Sequence, residues 1–142
     1  MRLWHKDLIS VLPRQQLLAQ WRECCCIAKN IMENGTPNHI LVNKIMDYPL
    51  VHFYNYGFCV WDEMDRRGYH AEWEKFEKYF SESHRELRPK YTIFNNIDNI
   101  WHNDRYLRQC YYNLQEKYDC GGITEEEWRR IENSVNIEAA QK

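Results

Sequence analysis

The stretch PRQQLLAQWRECCCIAKNIMENG, residues 13–35, decides the fold because it carries the clearest helical pattern in the chain. Pro13 suits the opening position of a helix, and Gly35 suits the residue that ends one. Between them apolar residues recur every three or four positions, which is the spacing of one buried helical face. The pattern predicts a core helix from Pro13 to about Glu33, with this buried face: Leu17, Trp21, Cys24, Ala28 and Ile31.

The other side of this helix is predicted to be polar and exposed. Glu23 is the only carboxylate between Leu8 and Met32, and Arg22 stands beside it. A lone acid on a basic helix has two interpretations, ordinary surface polarity or a catalytic acid that faces an anionic ligand. The polar residues placed on this side by the helical period are Gln16, Gln20, Glu23 and Asn30.

The rest of the chain is also predicted to be mainly helical. Residues 88–101 carry no assignable pattern, and no stretch alternates convincingly with period two. The predicted fold class is therefore all-α, with residues 1–142 forming a single compact domain of several helices joined by irregular segments. The further predicted helices are 39–47, 50–67 with Gly68 as its end, 71–87, 103–118 capped by Asn103 or Asp104, and a short one opened by the capping box of Thr124 and Glu127.

Charge is placed unevenly along a chain whose net charge is only −2. Residues 1–30 carry five basic residues against two acidic ones, whereas residues 121–142 carry three basic against five acidic residues. A basic end on a nearly neutral protein indicates a local anion site and excludes a general polycation. The basic residues of the first thirty are Arg2, Lys6, Arg14, Arg22 and Lys29.

The six cysteines and six histidines invite a metal or disulfide interpretation, which their spacing does not favour. Cys24, Cys25 and Cys26 are adjacent and point in different directions around a helix, and no C-x-x-C or H-E-x-x-H motif occurs. Reduced thiols in a cytoplasmic protein are expected, with no secretory leader.

No apolar run reaches the length of a membrane span, so no membrane association is expected. Neither a metal nor a cofactor is predicted.

The first residues, MRLW, carry a second candidate for chemistry, the α-amino group. The ordinary pKa of an α-amino group is about 8, so part of it is free amine at neutral pH. Such an amine can attack a sugar C1′ and form a Schiff base, as lysine does in other enzymes. Because Arg2 is large, Met1 is expected to remain in place and to supply this amine.

Three segments together resemble the pyrimidine-dimer DNA glycosylase family, the small all-α endonuclease V enzymes of phage type and their bacterial relatives. These segments are MRLW (1–4), LPRQQLLAQWREC (12–24) and YLRQCYYNLQEKYD (106–119). The match is clearest over residues 1–26 and recurs near 101–118. The resemblance implies DNA repair by a DNA glycosylase with AP lyase activity, whose partner is double-stranded DNA that carries a damaged or abasic site.

The resemblance also implies roles for particular residues. The α-amine of Met1 would be the nucleophile that displaces the base and forms an imine, and Glu23 would be the carboxylate that the imine chemistry requires. The residues expected to contact DNA are Arg2, Arg14, Arg22, Lys29 and His102. The alternative is a non-catalytic DNA-binding or protein-interaction domain with the same fold. A covalent adduct with abasic DNA separates the two, and the lesion and the oligomeric state stay open.

Overall fold

The computed structural model describes residues 1–135. Within them the fold is mainly helical, which confirms the predicted fold class. One short 3-10 helix, Lys6–Val11, precedes the first α-helix, and three more lie between α-helices: Asn43–Asp47, Glu82–His84 and Lys90–Thr92. The α-helices are α1 (Arg14–Asn34), α2 (Leu50–Arg66), α3 (Glu74–Glu77), α4 (Asp104–Asp119) and α5 (Glu125–Ser134).

Helix α1 begins and ends where the sequence predicts, to within one residue. Pro13 precedes its first residue, and Gly35 ends it with a left-handed φ of 75° that glycine adopts without steric cost. The Gly35 N–H donates to the Ile31 carbonyl at 2.9 Å. Of the predicted buried face, Ile31 is half-buried and these four are buried: Leu17, Trp21, Cys24 and Ala28.

One prediction for α1 is wrong, because Gln20 is only 1% exposed. The first residues of the chain cross this side of the helix and are themselves buried from Leu3 to Lys6. The Lys6 ammonium ends beside the residue that follows the 3-10 helix Lys90–Thr92, where it donates to the Ile93 carbonyl at 3.0 Å. The N-terminal segment is therefore part of the core, and it covers polar side chains that the helical period places at the surface.

Helix α2 runs through the centre of the core and carries ten buried residues. Its Gly57 lies directly against the ring of Phe76, which leaves no room for a Cβ atom. The rings of Phe53 and Phe76 meet edge to face with centroids 5.4 Å apart, a favourable arrangement for two aromatic rings. This contact fixes α3 against α2.

The predicted helix over 71–87 is wrong beyond α3, which has only four residues. The apolar spacing is correct, since Phe76 and Phe80 are both buried. The chain turns after Phe80, and the Arg85 guanidinium donates to the carbonyls of Phe80 at 2.9 Å and Glu77 at 3.2 Å. Those donations satisfy carbonyls that a continuing helix would have paired.

Residues 36–49 and 88–101 contain the irregular parts of the fold. The predicted helix at 39–47 is only a 3-10 helix over Asn43–Asp47. Two strands that the sequence did not predict, β1 (Asn95–Asn96) and β2 (Asn99–Ile100), pair antiparallel with Asn95 opposite Ile100. Strands of two residues are too short to show an alternating pattern.

The caps predicted for α4 and α5 are confirmed. The Asn103 side chain accepts the Tyr106 N–H at 2.9 Å, and Thr124 and Glu127 form a capping box. The second carboxylate oxygen of Glu127 accepts the Arg14 N–H at 2.8 Å. The Glu127 carboxylate therefore caps the first turn of α1 as well as that of α5, and it links these two helices.

All six cysteines are free, as expected, and none of the helices in residues 1–135 is long and apolar enough to cross a membrane.

Candidate functional site

The start of the chain, one side of α1 and one side of α4 enclose an open cavity of about 620 Å³. Helix α1 supplies most of its wall between Gln15 and Glu23. Leu41 closes it at the turn that follows α1, and α4 adds Asn113 and Lys117. The residues that line it are Met1, Arg2, Trp4, Gln15, Gln16, Leu18, Ala19, Gln20, Arg22, Glu23, Leu41, Asn113 and Lys117.

Four of the residues predicted for the site line this one cavity: Met1, Arg2, Arg22 and Glu23. The Met1 residue is 42% exposed, so the first residue of the chain is open to solvent and to a ligand. The Arg2 guanidinium carbon lies 5.3 Å from the centre of the Trp4 ring, a cation–π contact that orients this side chain. The N-terminal residue and the lone carboxylate, on which the sequence-based hypothesis rests, therefore line the same cavity.

Gln20 fixes the N-terminal segment in this space. Its amide oxygen accepts the Trp4 N–H at 2.7 Å, and its amide nitrogen donates to the Arg2 carbonyl at 2.9 Å. The same nitrogen lies 3.3 Å from a carboxylate oxygen of Glu23, one helical turn away. The Tyr56 hydroxyl lies 2.6 Å from the Trp4 carbonyl and 2.9 Å from the Gln20 oxygen, and it completes this buried network. One side chain therefore contacts both the backbone that follows Met1 and the Glu23 carboxylate.

Sequence reasoning missed Gln20, and it also missed the contribution of α4. Asn113 and Lys117 are four residues apart and face the cavity from the segment that carries the weaker part of the resemblance. Their spacing places both on one side of a helix. The sequence alone does not say which side of α4 meets α1.

The charge of the cavity suits an anionic ligand. Arg2, Arg22 and Lys117 line it, and Glu23 is the only carboxylate among its lining residues. No ion pair joins any of these three cations to a carboxylate in the described part of the chain. Their charges are therefore available to a bound phosphate.

The structure does not bring Arg14, Lys29 or His102 into the cavity. Arg14 lies at the start of α1, with its guanidinium carbon 5.6 Å from the centre of the Tyr69 ring. Lys29 is exposed near the far end of α1.

His102 is buried, which corrects its expected contact with DNA. Its Nδ1 accepts the Lys6 N–H at 2.9 Å. Burial, with smaller contributions from His5 and Lys6, holds its pKa well below the ordinary value. A neutral ring enclosed in the core cannot reach a phosphate, so His102 supports the N-terminal segment from within.

The other side chains that could take part in chemistry have structural roles in the fold. Trp21 is buried as predicted, and Trp4 is buried and also lines the cavity. Burial raises the pKa of Cys25 to about 11, so this thiol is neutral at physiological pH and a poor nucleophile. Within residues 1–135 there is no group of three or more histidine, cysteine or acidic side chains arranged to hold a metal ion.

Comparison with known proteins agrees with the resemblance in the sequence. A family model described as pyrimidine dimer DNA glycosylase matches residues 1–77, which is more than half of the chain and includes Met1, Gln20 and Glu23. No curated protein and no solved structure gives a match. The match over the N-terminal segment, α1 and α2 confirms the suspected relationship: this chain belongs to the pyrimidine dimer DNA glycosylase family.

Proposed function

We propose that this protein is a DNA glycosylase with AP lyase activity that acts through an imine between the Met1 α-amine and the deoxyribose of a damaged nucleotide. The observation that carries the proposal is the shared cavity, which Met1, Arg2, Arg22 and Glu23 line together. An amine, a carboxylate and two cations are the groups that imine chemistry on a DNA sugar needs. The proposed substrate is a duplex with a pyrimidine dimer, and an abasic site is the substrate of the lyase step.

The first step is a displacement at C1′. The nitrogen of the free amine forms a bond to C1′ while the glycosidic bond breaks, and the base leaves C1′ with the bonding electrons and gains a proton, while it stays joined to its neighbour through the dimer. Opening of the sugar ring then breaks the C1′–O4′ bond, and the ring oxygen gains a proton as the imine forms. The cavity is open at Met1, which leaves room for the sugar to approach.

Glu23 is proposed to serve the stages at which positive charge or a proton moves. Its carboxylate would stabilise cationic character at C1′ and carry protons during ring opening. Loss of a C2′ proton then expels the 3′ phosphate by β-elimination, which cuts the strand. Water hydrolyses the imine and returns the amine. The contact with Gln20 holds the carboxylate near the N-terminal segment throughout.

The cations are proposed to hold the DNA backbone. Arg2 and Arg22 were expected to contact phosphates, and Lys117 joins them from α4. Arg14 and Lys29 are exposed outside the cavity, so phosphates further along the duplex are the contacts proposed for them. An extruded nucleotide would open the route to the sugar carbon.

The proposal is tested by borohydride trapping on a duplex with one abasic site. The protein is prepared with Met1 as its first residue, checked by intact mass, and in parallel with two residues added before Met1. We expect an adduct only with the unextended protein, because the extension removes the Met1 amine. A duplex with a thymine dimer, assayed for cleavage of the glycosidic bond and of the strand, then tests the lesion.

Other outcomes have distinct meanings. No adduct with either protein, together with salt-dependent DNA binding, would overturn the lyase proposal and favour a non-catalytic DNA-binding domain. An adduct with both proteins would overturn the assignment to the Met1 amine and point to a lysine.

A further inference from the structure

The cavity at Glu23 continues along the surface into a longer groove. A small hollow of about 180 Å³ lies beside it and shares Arg2, Leu41 and Asn113 with it. A third cavity of about 320 Å³ follows, with Lys44, Trp101 and Arg105 in its lining, and it shares Leu41 with both of the others. We call these three connected spaces the long groove. Leu41 stands where they meet.

Positive charge continues through the long groove. Five cations line it, whereas Glu23 is its only carboxylate. None of the five forms an ion pair within residues 1–135, although the protein as a whole carries a net charge of −2. This charge complements a polyanion that is longer than one nucleotide. The five cations are Arg2, Arg22, Lys44, Arg105 and Lys117.

Two aliphatic side chains project at the middle of this cationic surface. Ile40 is 84% exposed and Leu41 is 49% exposed, and both line the third cavity. Exposed aliphatic side chains are not stabilised by contact with phosphate or water, but they are stabilised by contact with the faces of stacked bases. Because they lie beside the proposed site of the reacting sugar, the bases next to that sugar are within their reach.

The turn that carries these two residues is held firmly. The His39 carbonyl accepts the N–H groups of Val42 at 3.0 Å and Asn43 at 2.9 Å. The Asn43 side chain in turn accepts the His39 N–H at 2.9 Å. Val42 is fully buried and ties the turn to the core. A projection held in this way loses little conformational entropy when it enters another molecule.

We propose that Ile40 and Leu41 form a wedge that enters the base stack of duplex DNA beside the damaged nucleotide. The inference rests on the proposed function, because it places the reacting sugar at Met1 and Glu23. Unstacking a base step is unfavourable, and inserted aliphatic side chains offset part of that free energy by filling the opened space. The wedge holds the extruded nucleotide out of the helix, while Lys44 and Arg105 hold the backbone beyond it.

The test compares duplex with single-stranded DNA, since only a duplex has a stack to open. The wedge variant is Ile40→Ala, which removes the more exposed part of the wedge and keeps Leu41, a residue that also lines the cavity at Glu23; circular dichroism checks the fold. The matched control is Ile97→Ala, which shortens an exposed isoleucine side chain that lines none of the three cavities. Both are assayed by borohydride trapping on the same abasic strand, single or paired.

We expect the wedge variant to trap duplex roughly tenfold more slowly than the unaltered protein, with less than about a twofold change on the single strand. The control variant should match the unaltered protein on both. Equal rates on duplex would overturn the wedge, as would equal losses on both substrates, which would show damage to the reacting groups instead.

A second readout needs no chemistry and so separates this inference from the proposed function. A 2-aminopurine base placed next to the abasic site brightens when it unstacks. Saturating unaltered protein should brighten it, and the wedge variant at saturation should not. If the unaltered protein forms no adduct, the proposed function fails, and this fluorescence still decides whether Ile40 and Leu41 open the stack. No change in fluorescence with the unaltered protein would overturn the wedge.

Discussion

Gln20 holds Trp4 by a 2.7 Å hydrogen bond from the backbone N–H of Trp4 to its side-chain oxygen, deep in the core. Its amide nitrogen donates to the Arg2 carbonyl at 2.9 Å, so the amide pairs with the backbone on both sides of Leu3. These bonds place the first residues against α1, one turn before Glu23. The position of the terminus is therefore set by the core and not by contacts at the surface.

The first prediction concerns this amide. Gln20→Ala leaves the Trp4 N–H and the Arg2 carbonyl without their side-chain partner, and unsatisfied buried groups cost about 1–3 kcal/mol each. We expect a lower free energy of unfolding in urea and a trapping rate on abasic duplex that falls more than DNA affinity does. Asn30→Ala is the control, because that amide on the same helix makes one bond 3.5 Å long with the Pro37 carbonyl. Trapping at the full rate would show that Gln20 does not position the terminus.

The second prediction concerns Glu23. Glu23→Gln keeps the shape of the side chain but removes its charge and its ability to take a proton, so strand cleavage should fall by roughly a hundredfold or more. Loss of a negative charge beside phosphates should leave DNA affinity equal or slightly tighter. The measurements are cleavage of abasic duplex and a gel-shift titration. Glu33→Gln, an exposed change on the same helix outside the cavity, should cleave normally. Normal cleavage by Glu23→Gln would remove this residue from the mechanism.

The local features of this site were predictable from the sequence, and the long-range ones were not. Glu23 stands out as the only carboxylate in the stretch around it, and the cap residues of α1, α4 and α5 follow rules that involve only near neighbours. Gln20 has the helical position of an exposed residue, and only the path of the N-terminal segment buries it. The burial of His102 was not predicted for the same reason, because His102 packs against Lys6, which is far away in the sequence.

The helix predicted over 71–87 shows a second limit. Periodicity placed Phe76 and Phe80 correctly on the buried side. It did not show that the Arg85 side chain donates to the carbonyls of Glu77 and Phe80, where the chain leaves the helix. The apolar pattern therefore predicted which residues face the core more reliably than it predicted the length of the helix.

The third prediction concerns salt. Each phosphate contact adds about 0.9 to the slope of log affinity against log salt, because binding releases counterions. Arg22→Ala and Lys117→Ala should each weaken binding to DNA of any sequence and reduce this slope by roughly one. Lys75→Ala is the control, since Lys75 is exposed and lies 4.0 Å from Glu72. Fluorescence anisotropy over a range of salt concentrations measures the slope. An unchanged slope in both cavity variants would place the phosphates elsewhere.

The fourth prediction concerns the packing of α2 on α3. A Cβ atom at Gly57 would overlap the Phe76 ring, which is fully buried and cannot swing away. Gly57→Ala should lower the free energy of unfolding by about 1–3 kcal/mol in spite of the higher helix propensity of alanine. Adding Phe76→Leu should recover part of the loss by making room. Asp65→Ala, on the exposed side of α2, should change stability by about 0.5 kcal/mol or less. Full stability of Gly57→Ala would show that the two helices separate easily.

The last prediction concerns acid. Three buried histidines accept a backbone N–H at Nδ1: His5 from Asp7, His52 from Phe94 and His102 from Lys6. A protonated ring cannot accept at Nδ1, and burial is the main cause that lowers the pKa of all three below the ordinary 6.5.

Since the pKa of each of these rings is lower in the folded protein, the unfolded chain binds more protons below about pH 6.5, and the free energy of unfolding must fall as the pH falls. Each ring that stays neutral contributes up to about 1.4 kcal/mol per pH unit, and carboxyl groups contribute little above about pH 5. Urea denaturation between about pH 7.5 and pH 5 measures the slope. His102→Asn, whose side-chain oxygen can still accept the Lys6 N–H, should flatten it, while His70→Asn at an exposed position should not. An equally steep slope in His102→Asn would mean that His102 does not contribute to the acid sensitivity.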